Sequence, residues 1–305
     1  MLPFILDTDI GSDVDDALAL AFALRHPELE LRAVTTVSGD TIRRARIAKK
    51  LLLLAGRDDI EVAAGVSGDT PPDGPQPEGG HEDAMLGEVT GGLPVSARDA
   101  VTLLLEEAGR GGCEIATVGM QSNMAAAVAR DPAFAERVPR LTVMGGVFAP
   151  VQFLNMTLPP SVDHNLNVDQ QASVVALNIA IPKLFVPCDV TMGAWLTTTH
   201  LDRLRAGDAL CRELARQIDI WTVVLHRSAR GAVPEHYVAL LHDPLAVACM
   251  VDRRFVTSVT ARVTVAMHEG HVRTFIDPAA GHEAEIITSV DAPAFAQFWL
   301  DMVLA

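Results

Sequence analysis

Five carboxylates stand close together near the start of the chain: Asp7, Asp9, Asp13, Asp15 and Asp16, in the run Asp7-Thr8-Asp9-Ile10-Gly11-Ser12-Asp13-Val14-Asp15-Asp16. Acids at this density repel one another, a cost that only a cation or bound protons can offset. Helix capping accounts for one or two of them, because Asp caps helices and favours their N-termini. It does not account for five. Hard oxygen donors in this number favour Ca²⁺ or Mg²⁺ over zinc. The run is not an EF-hand loop, because the twelfth position from Asp7 is Leu18 where a bidentate Glu is required. A cation held here lowers the pKa of a water it binds, and a neighbouring carboxylate can take that water's proton.

Such a cluster needs elements that bring it to one place. Short β-rich runs alternate with helical segments along the chain. Strands are expected at Phe4–Asp7, Leu31–Val37, Glu61–Ala64, Glu114–Val118, Arg140–Met144 and Lys183–Val186. Helices are expected at Asp16–Arg25, Thr41–Ala55, Ala97–Ala108, Ser122–Arg130 and Asp169–Asn178. This alternation predicts an α/β fold with an open, mainly parallel sheet flanked by helices. In such sheets ligands bind at the carboxyl ends of the strands, which is where the acidic run falls. Beyond Asp189, helices are expected at Leu201–Arg205 and Ala209–Leu225, and an antiparallel pair at Phe255–Val265 and His271–Ile276. Two long loops, Gly65 to Pro94 and Phe148–Asp163, have the length of functional lids. No repeat or linker interrupts the chain, so residues 1–305 are read as one domain.

Composition narrows the partners. The chain has 305 residues and a formal charge of −15, which disfavours nucleic acid and anionic membrane but not a small neutral substrate. The longest apolar stretch, Ala17 to Leu24, is too short to span a bilayer. No basic, apolar leader precedes the first strand, so the cytoplasm is the expected compartment. Cys113, Cys188, Cys211 and Cys249 are scattered and read as reduced core residues, neither disulfides nor a zinc site.

The acidic run resembles the Asp-x-Asp-Pro-Gly-x-Asp-Asp motif of the nucleoside hydrolase family, the inosine–uridine-preferring type and its relatives. Asp7-Thr8-Asp9-Ile10-Gly11 matches its start and Val14-Asp15-Asp16 its end, with Ser12-Asp13 inserted. Further segments resemble family motifs in the expected order: Thr35-Thr36-Val37-Ser38-Gly39-Asp40, Gly119-Met120-Gln121-Ser122-Asn123-Met124-Ala125, Met144-Gly145-Gly146, Asp163-His164-Asn165 followed by Asp169, and Leu241-His242-Asp243-Pro244. Each is weak alone; their joint order is specific.

The resemblance implies a Ca²⁺-dependent N-ribohydrolase that splits a nucleoside or related riboside into ribose and free base, working in salvage as a homodimer or homotetramer. It implies Asp9 as both metal ligand and general base, Asp16 and Asp243 as further carboxylate ligands, and the backbone carbonyl of Val118 as another. Asp15, Asn165, Asn155 and Asp163 would hold the sugar, Asp163 standing where the family usually has Glu. His242 would protonate the leaving base, although an isolated His is more often structural. His81 reads equally as a pocket residue or a solvated loop histidine, and Tyr237 as a stacking or a packing ring. The family commonly has Asn at Asp40; a carboxylate there accepts but cannot donate, so Asp40→Asn is expected to re-rank ribosides if Asp40 touches the sugar.

Two other readings stay open on sequence. Asp7-Thr8-Asp9 also follows the pattern of a haloacid-dehalogenase-type phosphatase, which needs a nucleophilic Asp and a downstream Lys, with Lys183 the only late lysine. A non-catalytic Ca²⁺-dependent riboside-binding protein would carry the same motifs.

Overall fold

The computed structural model describes residues 1–67, 81–88 and 92–305. A nine-stranded sheet forms its centre. The strands in chain order are β1 (Leu2–Thr8), β2 (Leu29–Thr36), β3 (Glu61–Ala64), β4 (Glu114–Thr117), β5 (Leu141–Met144), β6 (Val151–Phe153), β7 (Met156–Leu158), β8 (Lys183–Val186), β9 (Trp195–Thr197), β10 (Tyr237–Leu240), β11 (Val256–His268), β12 (His271–Ile276) and β13 (His282–Val290). The central order is β12-β11-β13-β8-β5-β4-β1-β2-β3, with β6–β7 and β9–β10 as separate two-stranded pairs. Pairing is parallel from β3 through to β13, and β11 runs antiparallel between β13 and β12.

The alternation of β1 explains the layering. Phe4 and Leu6 enter one apolar cluster and Ile5 enters the other, because successive side chains of a strand face opposite sides of the sheet. On the first side pack α1 (Asp15–Arg25), α2 (Thr41–Leu54), α11 (Ala209–Ser228), α12 (His242–Ala248) and α13 (Ala292–Leu304); on the second pack α4 (Ala100–Gly109), α5 (Ser122–Arg130) and α8 (Gln170–Leu177). Smaller helices are α3 (Glu82–Leu86), α6 (Phe134–Arg137), α7 (His164–Asn167), α9 (Cys188–Thr191) and α10 (Thr198–Arg205). Helix α1 is buried on every side from Asp15 to Ala23, wedged between the sheet and other helices, and the Trp299 indole of α13 donates to the Leu18 carbonyl at 3.2 Å.

The large mainly parallel sheet flanked by helices agrees with the expected class. The sequence reading missed β13, which inserts between β8 and the antiparallel pair, and it missed α13. The stretch 148–163, expected as a loop, contains the β6–β7 hairpin and a 3₁₀ turn at Pro160–Val162. Of the other expected loop, residues 68–80 and 89–91 lie outside the described residues, and 82–86 form α3. All four cysteines are free and buried. No helix among the described residues is long and apolar enough to cross a membrane.

Candidate active site

Strand order reverses at β1, with β2 on one side and β4 on the other. A crevice must open at the carboxyl ends of the strands there, since the connections leave in opposite directions. The cavity lies there: Asp9 follows β1, Val118 follows β4, Met144 ends β5 and Cys188 follows β8. Asp13, Asp15, Asp16, Asp163, Asn165, His242 and Asp243 also line it, together with Ser12, Val162, His164, Met192 and Trp221. Six of the lining residues are aspartates, and none is Lys or Arg.

Carboxylate oxygens of Asp15, Asp16 and Asp243 lie within 4.8 Å of one another, and all three residues are buried. Burial first, then repulsion from the neighbouring aspartates, raises all three well above the ordinary carboxylate range. Asp9 contributes to that repulsion on each of them. Asp13 is pushed up to about 8 by burial and by Asp16 and Asp9. The Thr8 hydroxyl, which donates to Asp16, and the Arg44 charge both act against the rise at Asp16, lowering it. Crowded anionic oxygens with so little compensation fit a hard divalent cation. The resemblance had given Asp15 to the sugar; here its oxygen stands with Asp16 and Asp243 instead, with Asp9 on the same cavity wall.

Close backbone approach makes this possible. A Cβ at Gly119 would sit 2.8 Å from Asp9 Oδ1 and 2.9 Å from its amide nitrogen, so only glycine lets the β4 exit lie against Asp9. Asn123, at the start of α5, donates to Asp7 Oδ1 at 2.7 Å and accepts from Val66 N at 2.8 Å, tying the β1 and β3 exits together.

Asp7 does not reach the cavity. It is fully buried, accepts from Thr35 Oγ1 at 2.5 Å as well as from Asn123, and is pushed up to about 7 by burial. A phosphatase of the kind considered from sequence would need that carboxylate as an accessible nucleophile, so the geometry removes the observation that favoured it. Lys183 is likewise taken up elsewhere, donating to the carbonyls of Ile179 and Ile181.

Asn165 Nδ2 donates to the Val118 carbonyl at 2.6 Å and to the Met144 carbonyl at 3.1 Å. Its donors are thus spent on the strand ends, which leaves Oδ1 as an acceptor. Asp163 caps α7, taking Leu166 N–H at 3.1 Å on one oxygen and Gly146 N–H at 2.6 Å on the other. Burial raises it to about 6. Its short side chain therefore holds backbone where a longer Glu would extend further into the cavity. His242 Nδ1 is 2.6 Å from Thr191 Oγ1, and burial lowers the imidazole to about 4.

Three expected residues stand apart. Asn155 is exposed at the β6–β7 turn and does not line the cavity. Tyr237 does not line the cavity; its ring packs 4.8 Å from that of Trp195, in a cluster that adjoins the cavity through Trp221 and Met192. Asp40 caps α2, accepting from Arg43 N at 2.9 Å, with its side chain 52% exposed. The sequence expectation was that Asp40 reads the sugar; here a helix start uses the carboxylate, and Asp40 is not among the residues that line the cavity. Asp40→Asn is therefore expected to leave the ranking of ribosides by kcat/KM unchanged, and Asp40→Ala to lower stability by about 1 kcal/mol through the lost cap. Thermal melts and a substrate panel on both variants check this.

His81 does not itself line the cavity but packs against two residues that do. Its Nε2 contacts the Ser12 carbonyl, and its ring lies 5.8 Å from that of Trp221, which does line the cavity. Trp221, Met192, His164, Cys188 and Ser12 were not singled out from sequence. Trp221 had a signal, a partly exposed aromatic on the amphipathic helix α11, but helical periodicity alone does not say which face meets a ligand.

The family model described as inosine-uridine preferring nucleoside hydrolase matches residues 4–297. Pyrimidine-specific ribonucleoside hydrolase RihA of Enterobacter sp. (strain 638) is 30% identical over 87% of this chain and 83% of its own length. The protein of that name from Klebsiella pneumoniae subsp. pneumoniae is 28% identical over 87% and 84%. Among solved structures, the plant nucleoside hydrolase PpNRh1 superposes with a TM-score of 0.85 at 25% identity, covering 99% of both chains. The purine-preferring ribonucleoside hydrolase from Gardnerella vaginalis gives 0.82 at 24% identity, covering 99% of this chain and 98% of the other.

Proposed function

Because the chain belongs to the inosine-uridine preferring nucleoside hydrolase family and is an enzyme that hydrolyses the N-glycosidic bond of ribonucleosides, we propose that the aspartates and His242 of this cavity carry that reaction, with Ca²⁺ held by Asp9, Asp16, Asp243 and the Val118 carbonyl. The observation that carries it is the meeting of three buried carboxylates, Asp15, Asp16 and Asp243, beside Asp9 at the strand-order reversal. When bound, the cation supplies the Lewis acidity that makes water a nucleophile near neutral pH.

The rest is done by the chain. Asp9 takes a proton from the attacking water, as a carboxylate on the cavity wall can. Asp15, whose oxygen stands beside those of Asp16 and Asp243, would hold a sugar hydroxyl next to the cation site. Asn165 accepts from a second hydroxyl through Oδ1, because both strand-end carbonyls hold its amide group. The flanking carboxylates stabilise the positive charge that grows on the sugar as the bond breaks. Burial lowers His242 to about 4 and its Nδ1 pairs with the Thr191 hydroxyl, so we assign Nε2 as the ring nitrogen that offers a hydrogen bond to the departing base. Trp221, backed by His81, is the wall for the base.

Six lining aspartates without a lining Lys or Arg favour a neutral or cationic riboside over a phosphorylated one. The free, buried cysteines fit the reducing cytoplasm as the compartment; a single domain assembling as a homodimer or homotetramer is the reading carried over from the family resemblance. Incubation with purine, pyrimidine and nicotinamide ribosides should release ribose and free base in equal amounts. Tight binding without any ribose release across the panel would instead select a riboside-binding protein.

A further inference from the structure

Arg44 lies on α2 with its side chain 5% exposed, a costly place for a charge unless every donor is used. A guanidinium has five N–H groups in one plane. In Arg44, Nε donates to the Ser38 carbonyl at 2.8 Å, Nη1 donates to the carbonyls of Asp9 and Ile10, and Nη2 donates to Ser12 Oγ at 2.8 Å. Nη2 also lies 3.9 Å from Glu82.

Three of these four acceptors, in Asp9, Ile10 and Ser12, belong to a segment with no ladder of its own. The turn from Asp9 to Val14 is neither helix nor strand, and it passes through Gly11 at φ +111, where a Cβ would stand 2.7 Å from Ile47 Cδ1. The same turn carries Asp9 and Asp13 into the cavity and feeds Asp15 and Asp16 at the start of α1. It also contains Ser12-Asp13, the two residues that interrupt the family-type motif, and Ser12 is one of the atoms Arg44 grips. Arg44 itself does not line the cavity.

We propose that Arg44 is the positioning residue of the carboxylate turn, holding the backbone of Asp9 and Ile10 and the Ser12 hydroxyl so that the acids on the turn's other side stand at their working positions. It touches neither substrate nor cation. The inference rests on the proposed roles of Asp9 and the cation, and its test separates the two.

The test compares wild type with Arg44→Lys at saturating Ca²⁺, using inosine or uridine, whichever wild type cleaves faster. Lysine keeps the charge, but its point-like ammonium cannot serve four acceptors arranged for a planar fork. With the variant folded by circular dichroism, kcat is expected to fall about a hundredfold while KM moves less than about threefold, because misplaced catalytic groups cost rate more than binding. Calorimetric titration of the metal-free protein with CaCl₂ should show affinity weakened about tenfold, a readout independent of turnover. A folded Arg44→Lys with wild-type kcat, merely melting earlier, overturns the proposal, since that is the behaviour of a brace for the fold alone.

Should Arg44→Lys fail to fold, Ser12→Ala, which removes one gripped atom, carries the decision: about a fivefold loss in kcat at unchanged melting temperature supports the proposal, and wild-type kcat overturns it. If both variants fold, the double variant should lose no more than Arg44→Lys alone, because the two act through one contact, and full additivity counts against it. If wild type takes up no Ca²⁺ in the titration, the cation assignment fails, and the kcat comparison still decides the role of Arg44.

Discussion

Stripping Ca²⁺ from the purified enzyme with a chelator is expected to abolish ribose release, and adding it back to restore the full rate. Asp15, Asp16 and Asp243 offer buried oxygens within 4.8 Å of one another, and in the proposed mechanism the cation they would help hold lowers the pKa of the attacking water so that Asp9 can take its proton. Asp243→Asn should leave the fold intact and lower kcat/KM by about a thousandfold or more, since it removes one charge from the site that must hold the cation. Stability should follow occupancy: at a free cation concentration a hundred times Kd, binding adds about 2.7 kcal/mol.

The pH dependence has a definite sign. Burial and mutual repulsion raise these carboxyls above their unfolded value of 3.8, so the metal-free folded state holds protons that the unfolded chain has released. Their contribution to metal-free stability is present in full below the unfolded value and is lost as pH rises. Ca²⁺ displaces those protons, so the gap in melting temperature with and without the cation should widen with rising pH. Calorimetric melts at several pH values, alongside metal content by elemental analysis, check both points. A metal-free protein with full activity would refute the assignment.

His242→Ala is expected to slow inosine cleavage by about tenfold to a hundredfold through the lost hydrogen bond to the leaving base, and to spare nitrophenyl riboside, whose leaving group needs no such help. The imidazole is lowered to about 4 by burial, and Thr191 lies 2.6 Å from its Nδ1. The neutral ring therefore assists the leaving base through a hydrogen bond and not by giving up its proton, and cleavage of inosine by wild type should show no fall across the ordinary histidine range near 6.5. Thr191→Val should reproduce part of the His242→Ala loss on inosine by releasing the tautomer. Equal losses on both substrates in His242→Ala would reduce the residue to a positioning role.

Much of this site was legible from the chain because it is local. Asp9, Asp13, Asp15 and Asp16 lie within one strand-to-helix turn, and β1 and α1 follow from short-range patterning. Asp243 and His242 sit far along the chain, and only the order of motifs linked them to that turn. Asp40 and Asp163 show local chemistry competing with the expected role: both are helix caps, although Asp163 lines the cavity and Asp40 does not. Asn155 fell in a segment with the expected composition but at the exposed tip of a hairpin.

By itself the sequence determined the class of sheet, the acidic turn at a strand's carboxyl end and the family-type chemistry, because alternating hydrophobic periods and ordered motifs are properties of neighbouring residues. Only the tertiary structure decided which carboxylates converge, that Asp7 is sealed away between Thr35 and Asn123, that His81 packs against Trp221, and that Arg44 spends its donors on the turn. Those outcomes depend on distances between residues up to more than a hundred positions apart. Such distances are set by the packing of α1, α2, α11 and α12 against the sheet, a property that no window of the chain contains.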